Sequence, residues 1–178
     1  MKTEQASPLC GRRVLVAVSG SIAAVKTPLL VSALIKAGAE VRCLVTASSA
    51  ALVSPVALAS LSRHRCYLEA DQWDPAASRP LHIELAEWAE LIIVAPLSAS
   101  SLARWSQGSA DGLLASVLLA TEVPVIAAPA MNTAMWRHPA VQRNWQQIQS
   151  FPGVIPLVPA SGLLACDRVG DGRMADPL

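Results

Sequence analysis

Charge is scarce in this chain of 178 residues: Asp, Glu, Lys and Arg make up 15%, and the net charge is +1. No Lys/Arg stripe is available to displace counterions, which excludes the electrostatic footprint of a nucleic-acid binder. No apolar run is long enough to span a membrane, and the start, Met1-Lys2-Thr3-Glu4-Gln5, lacks a secretory apolar core. The cysteines, Cys10, Cys43, Cys66 and Cys166, form no CxxC pair and have no zinc-ligand spacing with His64, His82 or His138. No metal site is expected, and a cytoplasmic protein with reduced thiols is the simplest reading. Internal repeats and low-complexity tracts are absent as well.

What the chain does have is apolar surface. Hydrophobic residues make up 53% of it, and with so little charge much of the exterior is expected to be buried between subunits. A monomer rich in Ala and Leu is the alternative. The length suits one domain, residues 13–178, with residues 1–12 as a flexible tail. The end, Asp176-Pro177-Leu178, follows a Gly/Arg/Met run with no closing helix, so a further segment is expected beyond it.

Five runs, 13–19, 41–46, 91–95, 124–128 and 154–158, read as strands. Each is nearly continuous in Val, Ile, Leu and Ala, the pattern of strands covered on both faces. Helical segments alternate with them. Residues 28–37 have Thr27 as N-cap, Pro28 at the first position and Gly38 past the end. Residues 50–62 and 113–120 are apolar at helical spacing, and 133–150 forms a helix that Pro139 restarts. The polar, proline-bearing segment 67–80 reads as a surface loop. Alternating βα units predict an α/β fold, a Rossmann-like doubly wound parallel sheet in flavodoxin-like three layers.

In such a sheet ligands bind beyond the carboxyl ends of the strands, and three segments there are rich in small and hydroxyl residues. Val18-Ser19-Gly20-Ser21-Ile22-Ala23-Ala24 turns the first strand into a helix start, where backbone N–H groups favour an anion. It has one glycine, not the three of the dinucleotide fingerprint. The second strand ends in Thr46-Ala47-Ser48-Ser49, with no carboxylate for ribose hydroxyls, so flavin mononucleotide (FMN) or another phosphorylated ligand suits it better than NAD. The alternative is that Ser48 simply caps the next helix. Ala95-Pro96-Leu97-Ser98-Ala99-Ser100-Ser101 adds a third row of hydroxyls and amides at the same edge.

Two further runs carry chemistry. Pro129-Ala130-Met131-Asn132-Thr133-Ala134-Met135-Trp136 follows a buried strand and places the Asn132 amide among two methionines and a tryptophan. Ser161-Gly162-Leu163-Leu164-Ala165-Cys166, then Gly170, Gly172, Arg173 and Met174, puts a thiol in a glycine-flanked loop, where it can donate a proton or attack. Neither run is needed to build a core, and together they read as a substrate clamp. Arg173 can hold a phosphate or carboxylate. His82 opens the short helix 81–89, where the helix dipole favours the neutral imidazole a base requires; a solvent-facing first-turn residue is the plainer alternative. His64 and His138 read as surface residues.

These motifs, in this order, resemble the homo-oligomeric flavin-containing cysteine decarboxylases across nearly the whole chain. The resemblance rests most on Pro129 to Asn132 with Met135-Trp136, and on Ala165-Cys166 with Gly170, Gly172, Arg173 and Met174. It implies bound FMN touching Gly20, Ser21, Ile22, Thr46, Ser48, Ser98, Ala99, Ser100, Ser101 and Ala130. It implies His82 as catalytic base and Cys166 as proton donor, with Asn132, Met135, Leu164, Ala165 and Arg173 binding substrate. The implied reaction belongs to coenzyme A biosynthesis: a phosphopantothenoyl-cysteine thiol is oxidised to a thioaldehyde, which lets carbon dioxide leave, and re-reduction gives 4'-phosphopantetheine. A trimer or an assembly of trimers such as a dodecamer is implied, and a fused or partner ligase domain.

The chain departs from the family at Ser100-Ser101 (usually Asn-Thr), Gly112 (Asn) and Asp167-Arg168 (Gly-Asp). Alternatives are a peptidyl-cysteine decarboxylase, which generally lacks the cysteine clamp, and a flavin prenyltransferase, which needs a basic prenyl-phosphate pocket. A non-catalytic flavin-binding regulatory subunit is the fourth reading.

Overall fold

The computed structural model describes residues 7–163, 165 and 169–177. Six parallel strands form one sheet in the order β3-β2-β1-β4-β5-β6: β1 (Arg13–Val18), β2 (Glu40–Val45), β3 (Cys66–Leu68), β4 (Leu91–Leu97), β5 (Val125–Pro129) and β6 (Val154–Pro156). Successive residues of β1 face opposite layers. Val14, Val16 and Val18 pack with helices α1 (Thr27–Lys36) and α3 (Pro55–Ser62), the short α2 (Ala47–Ala50) lying between those two helices in the chain. Leu15 and Ala17 pack on the other side with α4 (Leu81–Trp88), α5 (Ala99–Ser106), α6 (Leu113–Ala120) and, beyond the brief α7 (Thr133–Arg137), α8 (Pro139–Gln149). This is the three-layer doubly wound arrangement expected from the strand composition. Strand order reverses between β1 and β4, which opens the crevice where such sheets take ligands.

Several boundaries differ from expectation, each for a local reason. The segment 50–62 is not one helix: Ser54 caps α3 by accepting the Ala57 N–H, and Pro55 sits at its first turn, so the chain breaks after α2. The segment 67–80 is a loop only in its later part. Its start forms edge strand β3, anchored by buried Tyr67, and a 3-10 turn at Glu69–Trp73. Three residues are too few to show a strand period. Residues 7–12, expected as tail, form a turn held by the Gly11 N–H to the Gly38 carbonyl, and Arg12 pairs with Glu90. Within 133–150 the helix does restart at Pro139, with His138 as its cap.

A separate antiparallel hairpin, β7 (Ala160–Leu163) and β8 (Val169–Arg173), lies outside the sheet, where sequence reading expects a loop. Glu69 has a second unforeseen role. Gly112 stands at the N-cap of α6 with no side chain to offer, and Glu69 Oε2 accepts the Leu113 N–H at 2.6 Å in its place. A Cβ at Gly112 would sit 2.8 Å from that oxygen. The small residue and the distant carboxylate form a matched pair.

Cys43 and Cys66 are in-register neighbours on β2 and β3. Burial, with the adjacent Cys66 sulfur adding to it, pushes the Cys43 thiol up to about 12; burial and nearby Asp71 push Cys66 up to about 11. Below those values both stay protonated and unreactive. Alkylation of the folded protein at pH 8, read by peptide mass mapping, should therefore modify exposed Cys10 and spare Cys43 and Cys66 until denaturant is added.

Candidate functional site

Buried hydroxyls tie the loops at the carboxyl edge of the sheet together. Ser19, fully buried just past β1, donates through Oγ to the Pro96 carbonyl at 2.8 Å and accepts the Ser98 N–H at 2.7 Å. Thr27 Oγ1 donates to the Ala95 carbonyl at 3.1 Å, across the cis Ala95–Pro96 peptide. Ser49 Oγ donates to the Val18 carbonyl at 2.6 Å. The loops after β1, β2 and β4 are thus bonded to one another before any ligand is considered. Close approach completes the join: a Cβ at Gly20 would lie 2.6 Å from Ser48 Cβ.

Two cavities open on this edge. The first, about 350 Å³, is walled by Gly20, Thr46, Ser48, Ser98, Ser100 and Ser101, with Glu69, Arg104, Asp111 and the α6 residues Leu114, Ala115 and Leu118 opposite. The second, about 470 Å³, is walled by Gly20, Ser21, Ile22, Lys26, Ala99, Ala130, Met131, Asn132 and Met135, with Ala165, Arg173 and Met174 brought in by the hairpin. Gly20, Ser98 and Ser100 line both, so the two spaces meet across one junction. Every described residue expected to bind cofactor or substrate, the base His82 aside, therefore lines one cavity or both.

The hydroxyls divide by task. Thr46 caps α2 by accepting the Ser49 N–H, and Ser98 caps α5 by accepting the Ser101 N–H. Ser48 is not the cap; it is exposed in the first cavity. Asn132 caps α7, its Oδ1 accepting the Ala134 N–H at 2.8 Å, which sets the amide at the mouth of the second cavity. Trp136 lines neither cavity. Its ring packs edge-on against Trp145 at 5.5 Å, on the core side. Met174 belongs to the core and the cavity at once, since it is 2% exposed and lines the second cavity.

Sequence reading missed Lys26. It holds the N-cap position of α1, where the helix dipole adds to its charge, and it faces the second cavity with Arg173. Among the described residues neither cation is paired with a carboxylate, whereas Arg12, Arg13, Arg42, Arg65, Arg79, Arg104 and Arg137 all are. No sequence signal separates Lys26 from any lysine at a helix start; only the cavity does.

His82 lies in the first turn of α4, half-buried, with Nδ1 buried and lacking a hydrogen-bond partner among the described residues. It lines neither cavity of the single chain. Cys166 and Leu164 lie outside the described residues. No cluster of metal-binding side chains occurs among the described residues.

A parallel sheet with its crevice between β1 and β4, hydroxyl loops and no carboxylate at the end of β2 defines a flavoprotein-type site rather than a dinucleotide site. The flavoprotein family profile matches residues 2–177, and the chain belongs to that family. It is 42% identical over 170 residues to the coenzyme A biosynthesis bifunctional protein CoaBC of Bacillus subtilis, and 42% identical over 171 residues to that of Escherichia coli. These alignments cover 95% and 96% of this chain and 41% of each relative, so the chain spans about two fifths of their length. Among solved structures it superposes, at TM-score 0.83 and 35% identity, on a cysteine-to-serine mutant of PPC decarboxylase complexed with pantothenoylaminoethenethiol, covering 94% of this chain and 92% of that one. The FMN binding protein AtHal3 superposes at TM-score 0.82 and 36% identity, covering 93% and 90%.

Replacing Ser19 by Ala would strand the buried Ser98 N–H without an acceptor. Loss of about 1–3 kcal/mol of stability is expected, measured as a lower urea midpoint with an unchanged slope.

Proposed function

We propose that this chain is the FMN-dependent decarboxylase domain that converts 4'-phosphopantothenoylcysteine to 4'-phosphopantetheine in coenzyme A biosynthesis, in the cytoplasm. The observation that carries this reading is the junction at Gly20, Ser98 and Ser100, where a hydroxyl-lined space meets one lined by Asn132, Met135, Ala165 and Arg173. The residues suit FMN: hydroxyls and the Gly20 turn for a phosphate monoester, and small Ala99 and Ala130 where a ring must lie close. The nearby Glu69 carboxylate is held by the Leu113 N–H. Gly20, Ser21, Ile22, Thr46, Ser48, Ser98, Ala99, Ser100, Ser101 and Ala130 would hold the cofactor, which when bound supplies reversible two-electron oxidation next to the substrate thiol.

The protein's own groups then divide the work. The Asn132 amide, fixed by its capping bond, binds the cysteinyl carboxylate, and Met135, Leu164 and Ala165 enclose the chain of the substrate. Lys26 and Arg173 take its phosphate. His82 accepts the thiol proton. Because it stands outside both cavities of its own chain, it serves the site of a neighbouring copy in a trimer or an assembly of trimers. Ile22, Val25 and Leu29, each more than half exposed beside the cavity, supply apolar surface for that contact. Cys166 protonates carbon after carbon dioxide leaves, a task for an acid of suitable strength. A ligase domain, fused or separate, makes the cysteinyl substrate.

The test is carbon dioxide release from FMN-loaded protein given phosphopantothenoylcysteine or a peptide ending in cysteine. Turnover of the phosphorylated substrate is expected; turnover of the peptide alone would replace this reading with a peptidyl-cysteine decarboxylase. A colourless protein that rejects FMN would remove it altogether.

Substituting Cys166 by Ser should split the reaction. Carbon dioxide is still released, but a serine hydroxyl is far too weak an acid to replace the thiol near neutral pH. Mass spectrometry should find the unsaturated ene-thiol in place of 4'-phosphopantetheine. Normal product at the normal rate would deny Cys166 its role.

A further inference from the structure

The hairpin β7–β8 belongs to no larger sheet, and an isolated two-stranded hairpin is marginally stable in water. Its order depends on what it touches, and Asp171 makes most of those contacts. The Asp171 carboxylate accepts from Arg137 Nη2 at 2.8 Å through one oxygen and from Ser161 Oγ through the other. Its backbone carbonyl accepts from Thr133 Oγ1 at 2.6 Å. One residue thereby bonds to both ends of α7, at Thr133 and Arg137, and across the hairpin to Ser161 on β7.

The glycines on either side allow this closeness. A Cβ at Gly170 would lie 2.3 Å from Thr133 Oγ1, and one at Gly172, whose φ is +108°, would lie 2.4 Å from the Met131 carbonyl oxygen. The Gly172 carbonyl accepts the Met131 N–H at 2.9 Å. Strand β8 therefore lies directly on residues 131–133, with no room for a side chain between. Asn132 and Met135 project into the second cavity from one side of this seam, and Arg173 and Ala165 from the other.

We propose that Asp171 is a positioning residue for substrate binding: by bonding Arg137 and Ser161 together it sets the separation between the two walls of the substrate cavity. The proposal rests on the function proposed above. Asp171 lines neither cavity and both its oxygens are engaged, so it acts through the residues it holds. Arg137 beside it and the Ser161 hydroxyl keep its carboxyl below the usual carboxylate range, which keeps the charge in place at neutral pH. The bonds are local, so their loss frees the hairpin without unfolding the domain. A cavity whose walls are assembled only part of the time binds substrate in proportion to that fraction.

The experiment compares FMN-loaded wild type with Asp171→Ala, Arg137→Ala, the double variant and Asp171→Glu. Asp171→Ala should raise the KM for phosphopantothenoylcysteine roughly five- to thirty-fold, with kcat, FMN affinity and the urea midpoint little changed. Arg137→Ala should do part of the same, and the double variant no more than Asp171→Ala, because the two act through one contact. Asp171→Glu should recover part of the loss. Hydrogen exchange, measured without substrate, should quicken in 131–137 and 160–163 and 169–173 and nowhere in the sheet. Unchanged exchange in those segments, or an additive double variant, overturns the proposal; so does a fall in kcat or FMN affinity with KM unaltered. If wild type turns over no cysteinyl substrate, the function fails, and the exchange data still decide whether Asp171 holds the walls.

Discussion

The site depends on one fully buried hydroxyl. Ser19 reaches from the end of β1 to the loop after β4, donating to the Pro96 carbonyl and accepting the Ser98 N–H. Parallel strands leave their carboxyl-end loops free of one another, because the connections run back over the faces as helices. Here the loops on the two sides of the strand reversal are joined internally. A hydrogen bond shielded from water is electrostatically stronger and costly to break. Ser49 to the Val18 carbonyl and Thr27 to the Ala95 carbonyl extend the same network. The Ser19, Thr27 and Ser49 hydroxyls line neither cavity, so the crevice is preorganised from behind, while Ser48 and Ser100 are exposed at its surface.

From that frame the chemistry separates into two neighbouring spaces. One is lined by hydroxyls and closed by α6, the other by aliphatic and thioether groups with a side-chain amide and two cations. Most arginines pair with carboxylates on the surface, where such pairs contribute little to stability. Among the described residues Lys26 and Arg173, like Lys36, Arg63 and Arg143, make no such pair, and of these five only Lys26 and Arg173 face the second cavity. In a chain with so little charge, unpaired cations around an apolar space favour an anionic ligand over a neutral one.

The departures from the usual family pattern read as adjustments within this frame. Gly112 lacks the amide that commonly caps a helix, and Glu69 caps α6 from 44 positions away in sequence, drawing the turn after β3 against the cavity wall. Ser100, shorter than asparagine, leaves more room at the junction of the cavities.

The architecture was legible in the sequence because burial on both faces leaves long unbroken apolar runs, and because Pro28, Gly38 and Pro139 punctuate helices through backbone geometry alone. The lack of a ribose-binding carboxylate after β2 was equally plain. Strand β3 was not, since three residues carry no period, and the hairpin was hidden because its strands are rich in glycine. The roles of individual polar residues were decided by tertiary structure. Ser19, Ser48 and Ser98 look alike in sequence, yet one bridges loops, one faces a cavity and one caps a helix. Lys26 is a cation at a helix start until the fold sets Arg173 beside the same cavity, and His82 is a first-turn residue whose own chain brings it to neither cavity. A side chain's chemistry is local, but whether its hydrogen bonds and charge are satisfied depends on partners up to 79 positions away, as for Ser19 and Ser98. Only the folded chain brings those partners within reach.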